Sequence, residues 1–540
     1  MDKFKILITD HISEEGIKIL ESSKDVDVCI KSGIEASELK GIIGDYDAII
    51  TRSRTEITKD ILANSGRLKI IGRAGVGLDN VDIEEASRKN IIVMNAPTGN
   101  TIAATELTIA LILSAARKIP EAVNSVKKGE WDRKRFLGIQ LYEKTLGIIG
   151  LGRIGSNLAI RARSFGMKIV AYDPYIKKEN ATSIGVTLLE NLEELLSISD
   201  VVTIHTPLTN DTINMITKTE INKMKDGAIL VNCARGKIIN EDDLCEALVN
   251  KKLYAAALDV FSKEPPKNNR LLELENVVTT PHIGANTYEG QKGVAVIIAE
   301  QVLNALHGKA YANAVNLPFI KSLLPKIFQL YFELAEKMGK LMAQIIRGRI
   351  DEIRVKCVGK IFEEELDSQS DNHLLNYMPL TIASLKGFLE VIMTESVTYM
   401  NAPFFAKDRG ITIYETKADK HERFTDIIFL LFKTDKEEKL VGGTVLNDEI
   451  PRIVVFDKFN LDIVPYGTYL YFRNYDRPGV IGSVGTILGK NNINIAGFGL
   501  SREKSGQAVA FVSVDNKLTN GVLEEILNID GIIEAKIIEF

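Results

Sequence analysis

A glycine-rich turn between an apolar segment and a helical repeat constrains the fold of this chain more than any other feature. The apolar segment 146–149 (LGII) predicts a buried strand. After the turn, apolar residues recur every three or four positions, which is the spacing of one helix face. These residues are Ile154, Leu158, Ala162 and Phe165. A strand, a tight turn and a helix in this order predict a parallel α/β domain.

The turn also predicts a binding site, because it contains Gly150, Gly152 and Gly155. Glycines at this spacing let the backbone turn tightly, approach a pyrophosphate and pack helix on strand, while the helix N-terminus faces the anion. Asp173 ends the next predicted strand, where a carboxylate accepts ribose hydroxyls and repels a 2′-phosphate. We therefore predict NAD rather than NADP as the ligand. The alternative is a purely structural glycine turn, which leaves the strand, helix and acid together unexplained.

Length and charge limit the class of protein. A chain of 540 residues exceeds one hydrophobic core, and roughly 150 residues per domain suggests about three or four domains. The 72 acidic and 67 basic residues nearly balance, which argues against nucleic-acid or membrane partners. No apolar run approaches ~18 residues, and the start lacks an apolar signal segment. The four cysteines are scattered without metal-ligand spacing. We expect a cytoplasmic protein without a bound metal.

The order of predicted elements indicates several domains. Short apolar runs alternate with helical stretches over residues 4–95, and a second such series covers 145–280. The segment 101–118 is apolar on nearly every face, so we expect a buried helix that connects the two series. A helix at about 287–307 would return the chain to the first domain. From Tyr469 onward the order is strand, helix, strand, strand, helix, strand.

We therefore predict two Rossmann-like doubly wound α/β domains, the first of them discontinuous, followed by an α+β domain and a ferredoxin-like βαββαβ domain. At a finer scale, Asp82 and Glu85 form a capping pattern that predicts a helix over 82–89. The predicted domain boundaries are 1–98 with 286–317, 99–285, 318–465 and 466–540.

Three polar residues follow three further predicted strands of the second series. Arg235, Glu264 and His282 should lie at the same edge of a parallel sheet, where ligands bind. Oxidation of a 2-hydroxy acid needs a base for the hydroxyl proton, a cation for the carboxylate and a group that tunes the base. Histidine, arginine and glutamate supply these functions respectively. We predict that the three residues form a catalytic site and that His205 lines the cofactor cleft.

Five segments resemble the long form of the D-3-phosphoglycerate dehydrogenases, within the D-isomer-specific 2-hydroxyacid dehydrogenases. They are 72–80 (GRAGVGLDN), 147–155 (GIIGLGRIG), 231–236 (VNCARG), 257–261 (ALDVF) and 280–285 (TPHIGA). The resemblance implies that Arg235, Glu264 and His282 are the catalytic residues, and it implies a larger set of contacts with NAD. That set is Gly150, Gly152, Arg153, Ile154, Gly155, Asp173, Thr206, Pro207, Cys233, Ala234, Arg235, Asp259, His282, Gly284 and Ala285.

The same resemblance implies a phosphorylated substrate, 3-phospho-D-glycerate. The residues expected to bind it are Arg52, Arg54, Arg73, Gly75, Arg133 and Arg135. The first three arginines lie at predicted strand ends of the first domain, and guanidinium groups bind phosphate well. The last two would come from a neighbouring subunit, since the resemblance implies a homodimer or homotetramer. The alternative for these arginines is a set of interdomain salt bridges.

Two C-terminal regions resemble regulatory modules. Segments 377–411 and 451–455 resemble the intervening domain of the longer enzymes, and 474–482 with 491–497 resembles an ACT domain, a module that binds amino acids. The implied effector is L-serine. Its predicted contacts are Asn474, Asp476, Gly479 and Asn494. Asp476 departs from the asparagine that serine-binding relatives often have, so a purely structural ACT domain is the alternative.

The implied reaction is the NAD-dependent oxidation of 3-phospho-D-glycerate to 3-phosphohydroxypyruvate, the first step of the phosphorylated pathway of L-serine biosynthesis. Reduction of 2-oxoglutarate is an expected side reaction, since a distal carboxylate fits a phosphate-sized cationic site. Two alternatives stay open. A hydroxypyruvate or glyoxylate reductase would share the glycine turn and the catalytic residues, and an NAD-sensing corepressor would share the fold.

Overall fold

The computed structural model describes residues 3–319, 324–362, 377–503 and 506–540. They form two compact units. The first contains Met1–Val81 and Met94–Asn313, and the second contains Asp82–Val93 and Ala314–Phe540. Across the described ranges, no helix combines the length and apolarity needed to span a membrane, and no group of side chains has the arrangement of a metal site.

The N-terminal residues form a five-stranded sheet of short, mostly buried strands, in which β1 pairs in parallel with β2 and β3, and β3 with β4. The strands are β1 (Phe4–Ile8), β2 (Val26–Ile30), β3 (Ala48–Thr51), β4 (Ile70–Arg73) and β5 (Ile92–Asn95), in the order β2-β1-β3-β4-β5. The helices of this stretch are α1 (Glu14–Glu21), α2 (Ala36–Ile42), α3 (Lys59–Leu62) and α4 (Ile83–Arg88). Asp82 caps α4 by accepting from the Glu85 N–H, so the predicted capping pattern is confirmed.

A seven-stranded parallel sheet follows. Its strands are β6 (Thr145–Ile149), β7 (Lys168–Tyr172), β8 (Thr187–Leu188), β9 (Val201–Ile204), β10 (Ala228–Asn232), β11 (Leu253–Leu258) and β12 (Val277–Thr279), in the order β12-β11-β10-β9-β6-β7-β8. Its helices are α5 (Thr101–Arg117), α6 (Ile119–Lys127), α7 (Arg153–Arg163), α8 (Lys178–Ser183), α9 (Leu192–Ile198), α10 (Lys218–Lys223), α11 (Glu241–Val249) and α12 (Tyr288–Leu306). Strand β6 pairs with β7 on one side and with β9 on the other, so the chain continues in opposite directions across the sheet from β6. In such sheets ligands bind at this point, beyond the carboxyl ends of the strands. The predicted doubly wound fold is confirmed.

Helix α12 returns the chain to the N-terminal sheet. Gly16 of α1 lies so close to α12 that a Cβ there would be 2.8 Å from the Ala295 carbonyl oxygen. A Cβ on Gly72 of β4 would be 2.8 Å from a methyl group of Val302. These close contacts require glycine. They join two stretches of chain that are separated in sequence by all the strands of the seven-stranded sheet, as expected for a discontinuous first domain.

Helix α5 differs in part from its prediction. We expected burial on nearly every face, and much of the helix is buried, including Ala104, Leu111 and Ala115. One face is open, with Ile102 at 45% exposure. The exposed residues on it are Ile102, Glu106, Ala110 and Arg117. The apolar residues of a helix do not show by themselves which of its faces the rest of the chain covers.

The second unit contains a six-stranded sheet covered by two long helices. Its strands are β13 (Ile350–Val358), β14 (Thr412–Ala418), β15 (Ile427–Thr434), β16 (Glu438–Leu446), β17 (Ile450–Phe456) and β18 (Phe459–Ile463), in the order β14-β13-β15-β16-β17-β18. Only β13 and β14 among these neighbours run parallel. Its helices are α13 (Lys326–Ile345), α14 (Pro379–Ile392) and α15 (Ala402–Asp408). The two long helices, α13 and α14, cross at Gly339, where a Cβ would lie 2.1 Å from the Ser384 carbonyl oxygen.

Residues 82–93 belong to this second unit and are held by polar contacts. Arg88 of α4 forms an ion pair with Asp408 of α15, and its guanidinium lies 5.3 Å from the centre of the Phe404 ring. Asn316, which is 6% exposed, donates to the Ile91 carbonyl and accepts from the Val93 N–H. A buried side chain whose polar atoms are all bonded fixes the segments it joins.

The C-terminal residues form the predicted ferredoxin-like order, which is confirmed. The elements are β19 (Thr468–Tyr475), α16 (Val480–Lys490), β20 (Ile495–Arg502), β21 (Gln507–Val514), α17 (Asn520–Leu527) and β22 (Ile532–Glu539), with strand order β20-β21-β19-β22 and antiparallel pairing throughout. Helices α16 and α17 cover one face of the sheet through Val484, Leu488 and Ile526. The other face, with Tyr471 and Phe511, joins the core of the six-stranded sheet.

Candidate active site

A histidine and a glutamate meet at the carboxyl ends of β11 and β12. Glu264 follows β11 and His282 follows β12, and His282 Nδ1 lies 2.7 Å from Glu264 Oε2. His282 has a φ of 52°, a left-handed conformation that is costly for a residue with a Cβ and needs support from its surroundings. The sequence prediction named both residues, and the structure brings them into direct contact.

Asp259 supports the loop that carries His282. Its side chain is 0% exposed, its Oδ1 accepts from the Thr280 hydroxyl and the Ile283 N–H, and its Oδ2 accepts from the Gly284 N–H at 2.9 Å. Burial raises the pKa of Asp259, and these three hydrogen bonds oppose that rise. Asp259 was predicted as a cofactor contact, and the hydrogen bonds of the structure show that it holds the histidine loop in place.

The contact between Glu264 and His282 sets the protonation of both. The hydrogen bond that His282 donates to Glu264 raises the pKa of His282, although burial and the Arg235 charge oppose the rise. Burial opposes ionisation of Glu264, but His282, the Phe261 N–H and Arg235 together lower the pKa of Glu264 below its usual value. An ionised Glu264 accepts a hydrogen bond from the Nδ1–H of His282. The proton of a neutral imidazole therefore stays on Nδ1, and Nε2 is the basic nitrogen. The pair can therefore take a proton from a bound hydroxyl.

Arg235 follows β10 and is held by two hydrogen bonds. Its Nε donates to Asp79 Oδ2 at 2.8 Å, and its Nη1 donates to the Ala234 carbonyl at 2.8 Å. Asn232, which is 1% exposed, braces the turn by donating to the Arg235 carbonyl and accepting from the Ala234 N–H. Asp79 and Asn232 were not predicted as site residues. Both lie in segments used for the resemblance, but nothing local marks them as partners of Arg235.

Arg73, a predicted phosphate-binding arginine, lies close to Arg235 and to a second predicted arginine, Arg52. Burial, then the charges of Arg235 and Arg52, lower the pKa of Arg73 to about 10. Arg73 Nε is buried without a hydrogen-bond partner among the described residues, and Arg52 Nη1 donates to the His11 carbonyl. A Cβ at Gly75 would lie 1.5 Å from Arg73 Nη1, so a side chain there would displace the Arg73 guanidinium. We call Arg52, Arg73 and Arg235 the cationic cluster.

The remaining predicted substrate arginines are placed differently. Arg54 is exposed, and a Cβ at Gly33 would lie 3.3 Å from its Nη1. Arg133 is also exposed. Arg135 forms ion pairs with Glu275 at 2.7 Å and Glu130 at 4.0 Å. Within one chain, Arg135 therefore has acidic partners of its own.

The glycine turn fits NAD. Gly150 has a φ of 90°, and a Cβ at Gly155 would lie 2.2 Å from the Gly150 carbonyl oxygen, so both positions need glycine. Gly152 is the N-cap of α7 and forms no side-chain cap, which leaves N–H groups of the first turn available for a pyrophosphate. Asp173 accepts from the Leu151 N–H at 2.8 Å, which fixes its carboxylate beside the turn. The other predicted cofactor residues near the carboxyl ends of these strands are Arg153, Ile154, Thr206, Pro207, Cys233, Ala234, Gly284 and Ala285.

Two of these residues, with neighbouring His205, clarify the chemistry of the cleft. Thr206 Oγ1 is buried without a hydrogen-bond partner among the described residues, which suits a contact with a bound cofactor. Burial raises the pKa of the Cys233 thiol to about 12, so this cysteine is uncharged and is not a nucleophile. Burial lowers the pKa of His205 to about 4, so this histidine is neutral and is not the base.

The four predicted effector residues lie in the C-terminal sheet region but are largely engaged within the chain. Asp476 pairs with Arg502 at 3.6 Å, and Asn494 Nδ2 donates to Asp515 Oδ2. Gly479, with a φ of 94°, is the N-cap of α16. The remaining effector residue, Asn474, is 2% exposed and has an Oδ1 without a hydrogen-bond partner among the described residues.

Three family profiles match successive parts of the chain. Residues 109–284 match the NAD binding domain of D-isomer specific 2-hydroxyacid dehydrogenases. Residues 327–457 match the D-3-phosphoglycerate dehydrogenase intervening domain, and residues 468–531 match the ACT domain. The predicted cofactor NAD is confirmed, as are the two C-terminal modules.

Similar proteins cover the whole chain. The D-3-phosphoglycerate dehydrogenase of Archaeoglobus fulgidus is 43% identical over 99% of this chain and 100% of its own length. That of Methanocaldococcus jannaschii is 42% identical over 99% of both chains. The crystal structure of D-lactate dehydrogenase from Aquifex aeolicus, complexed with NAD and lactic acid, is 30% identical with a TM-score of 0.51, and it covers 56% of this chain and 96% of its own. The chain belongs to the D-3-phosphoglycerate dehydrogenase family.

Proposed function

We propose that this chain oxidises 3-phospho-D-glycerate to 3-phosphohydroxypyruvate with NAD, the first step of the phosphorylated pathway of L-serine biosynthesis. The observation that carries this proposal is the hydrogen-bonded pair of His282 and Glu264, which lies close enough to Arg235 of the cationic cluster for its charge to act on both residues. A base and a set of guanidinium groups together suit a substrate with one hydroxyl and two anionic ends.

The chain's own groups account for the proton and for the orientation of the substrate. His282 Nε2 accepts the proton of the C2 hydroxyl, and the ionised Glu264 stabilises the imidazolium that results. The terminal nitrogens of Arg235 bind the carboxylate next to C2. NAD bound at the glycine turn supplies the acceptor for the hydride that leaves C2.

Arg73 and Arg52 bind the phosphate in this proposal. Support comes from the buried Arg73 Nε, which has no hydrogen-bond partner among the described residues, and from the repulsion of Arg73 by Arg235 and Arg52, which an anionic ligand would relieve. Salt bridges, the alternative for these arginines, lack support at this point, since the described side chains bring no carboxylate into an ion pair with Arg52 or Arg73. A distal carboxylate suits the same cluster, which supports reduction of 2-oxoglutarate as a side reaction.

The test is steady-state formation of NADH with three substrates compared side by side: 3-phosphoglycerate, glycerate and D-2-hydroxyglutarate. We expect the highest kcat/KM with 3-phosphoglycerate. A higher value with glycerate would favour the hydroxypyruvate or glyoxylate reductase alternative. Absence of turnover with all three would favour an NAD-sensing binding protein.

We also propose a homo-oligomer, a dimer or a tetramer. Large apolar side chains are exposed on and after α5 and α6, including Trp131 and Leu137 at 80% each, Val126 at 56% and Ile102 at 45%. A patch of this kind marks a protein interface. Arg133 and Arg135 lie beside Trp131 and would reach the active site of the partner. A monomer by light scattering at micromolar concentration would contradict this proposal.

Feedback by L-serine is the proposed regulation. Support comes from the buried Oδ1 of Asn474, which has no described partner, and from the N-terminus of α16 at Gly479, which suits a carboxylate. Rates that stay unchanged at millimolar L-serine would contradict it and favour a structural ACT domain. We propose a cytoplasmic location, and the four free cysteines support a reducing compartment.

A further inference from the structure

Arg235 contacts a carboxylate that the proposed reaction does not use. Its Nε donates to Asp79 Oδ2 at 2.8 Å across 156 positions of sequence. The side chain of Asp79 is 57% exposed and that of Arg235 is 27% exposed. An exposed ion pair contributes little to stability, so its role is better sought in the orientation of Arg235.

The contact decides which edge of the guanidinium is free. Arginine has five N–H donors in a fixed plane. Asp79 takes the Nε–H, and the Ala234 carbonyl takes one hydrogen of Nη1. Three hydrogens remain, one on Nη1 and two on Nη2, at and beside the terminal edge. This edge can bind a carboxylate with two parallel hydrogen bonds.

The loop that carries Asp79 is shaped for this contact. A Cβ at Gly77 would lie 1.8 Å from Arg235 Nη2 and 3.0 Å from Asp79 Oδ2. The guanidinium therefore occupies the space that a side chain at position 77 would take. Residue 77 leaves room for the arginine, and residue 79 supplies the acceptor that keeps it there.

Asp79 also provides negative charge within the cationic cluster. Arg73 lies close enough to Arg235 and to Arg52 for their charges to repel it, and Asp79 and Asp10 oppose that repulsion. Asp10 is committed to the loop after β3, since its Oδ2 accepts from the backbone N–H of Arg52. Without Asp79, the long side chain of Arg235 would face repulsion without a nearby acceptor for its Nε.

We propose that Asp79 is a positioning residue, which holds the terminal edge of Arg235 toward the substrate carboxylate by accepting from Nε. Asp79 acts through Arg235 and does not contact the substrate. This inference rests on the proposed function, in which Arg235 binds the carboxylate next to C2.

The experiment compares Asp79→Ala and Asp79→Asn, each in the full-length chain and in an Arg235→Ala background. Asp79→Ala should lower kcat/KM by about 10-fold or more, the scale expected for a charge-assisted hydrogen bond. The loss should be the same factor for 3-phosphoglycerate and for glycerate, because both carry the carboxylate. Asp79→Asn keeps an acceptor oxygen without the charge and should recover part of the activity. The Kd of NAD should stay unchanged.

In the Arg235→Ala background, Asp79→Ala should cause no further loss, because Asp79 acts only through Arg235. The matched control is Asp60→Ala, which removes an exposed aspartate paired with Lys40 and should leave kcat/KM unchanged. Thermal unfolding of every variant checks that the fold is retained.

Three results would overturn the inference. They are an additive loss in the double variant, a loss confined to 3-phosphoglycerate, and an Asp79→Asn variant as impaired as Asp79→Ala. The proposed function fails separately, if the unaltered chain does not oxidise 3-phosphoglycerate. In that case the same variants are compared with whichever 2-hydroxy acid the chain does oxidise.

Discussion

Acidification should destabilise this chain through His205, the buried histidine that follows β9. Its Nε2 lies 3.0 Å from the hydroxyl of Thr203. Burial lowers its pKa from 6.5 to about 4. Between these two values the unfolded chain binds a proton at His205 that the folded chain excludes. The stability from this site is fully present above pH 6.5 and is lost as the pH falls toward 4.

The size of the effect follows from the two pKa values. One pKa unit corresponds to about 1.36 kcal/mol, so the shift from 6.5 to about 4 corresponds to roughly 3 kcal/mol in full. Most of this loss falls between pH 7 and pH 5, where linkage gives about 2 kcal/mol. A change of this size is a large share of the net stability of a typical domain.

The assay uses His205→Gln, which retains an amide donor and cannot titrate in this range. Urea unfolding of both chains, followed by circular dichroism at pH 7 and pH 5, gives the free energy of unfolding for each. The unaltered chain should lose about 2 kcal/mol more than the variant on acidification. Equal losses in the two chains would refute the reasoning, because His205 would then titrate alike in the folded and unfolded states.

Three further predictions concern the site and the second unit. Glu264→Gln should lower the pKa of His282, since the hydrogen bond to Glu264 is the main cause of its rise. The acidic limb of the profile of kcat/KM against pH should therefore move to lower pH, and an unmoved limb would contradict this. Arg73→Ala should lower kcat/KM for 3-phosphoglycerate by about 10- to 100-fold and leave glycerate nearly unaffected, whereas equal losses would remove Arg73 from the phosphate site. Arg88→Ala should lower the free energy of unfolding by about 1 kcal/mol, measured by urea titration, because it loses Asp408 and the Phe404 ring.

The parts of the fold that depend on local patterns could be predicted from the sequence. The glycine turn, the buried strands around it and the capping residue Asp82 each depend on neighbours within a few positions. The order of elements in the C-terminal module is equally local. His282 and Glu264 were recognised because both follow strands of one parallel sheet, whose carboxyl ends share an edge.

Other features depend on contacts that no local pattern encodes. The bond between Arg235 and Asp79 joins residues 156 positions apart, and that between Arg135 and Glu275 joins residues 140 positions apart. The open face of α5 at Ile102 was missed because its composition resembles that of a buried face.

The position of helix α4 has a consequence for attempts to express the catalytic half alone. A chain ended near residue 318 would retain Arg88 and Asn90 but lose Asp408 and Thr398, to which they are bonded. The shortened product would then expose the side of α4 that α15 and its neighbouring residues cover in the full chain. A shortened enzyme from this chain would therefore need substitutions on the exposed side of α4 in addition to the truncation.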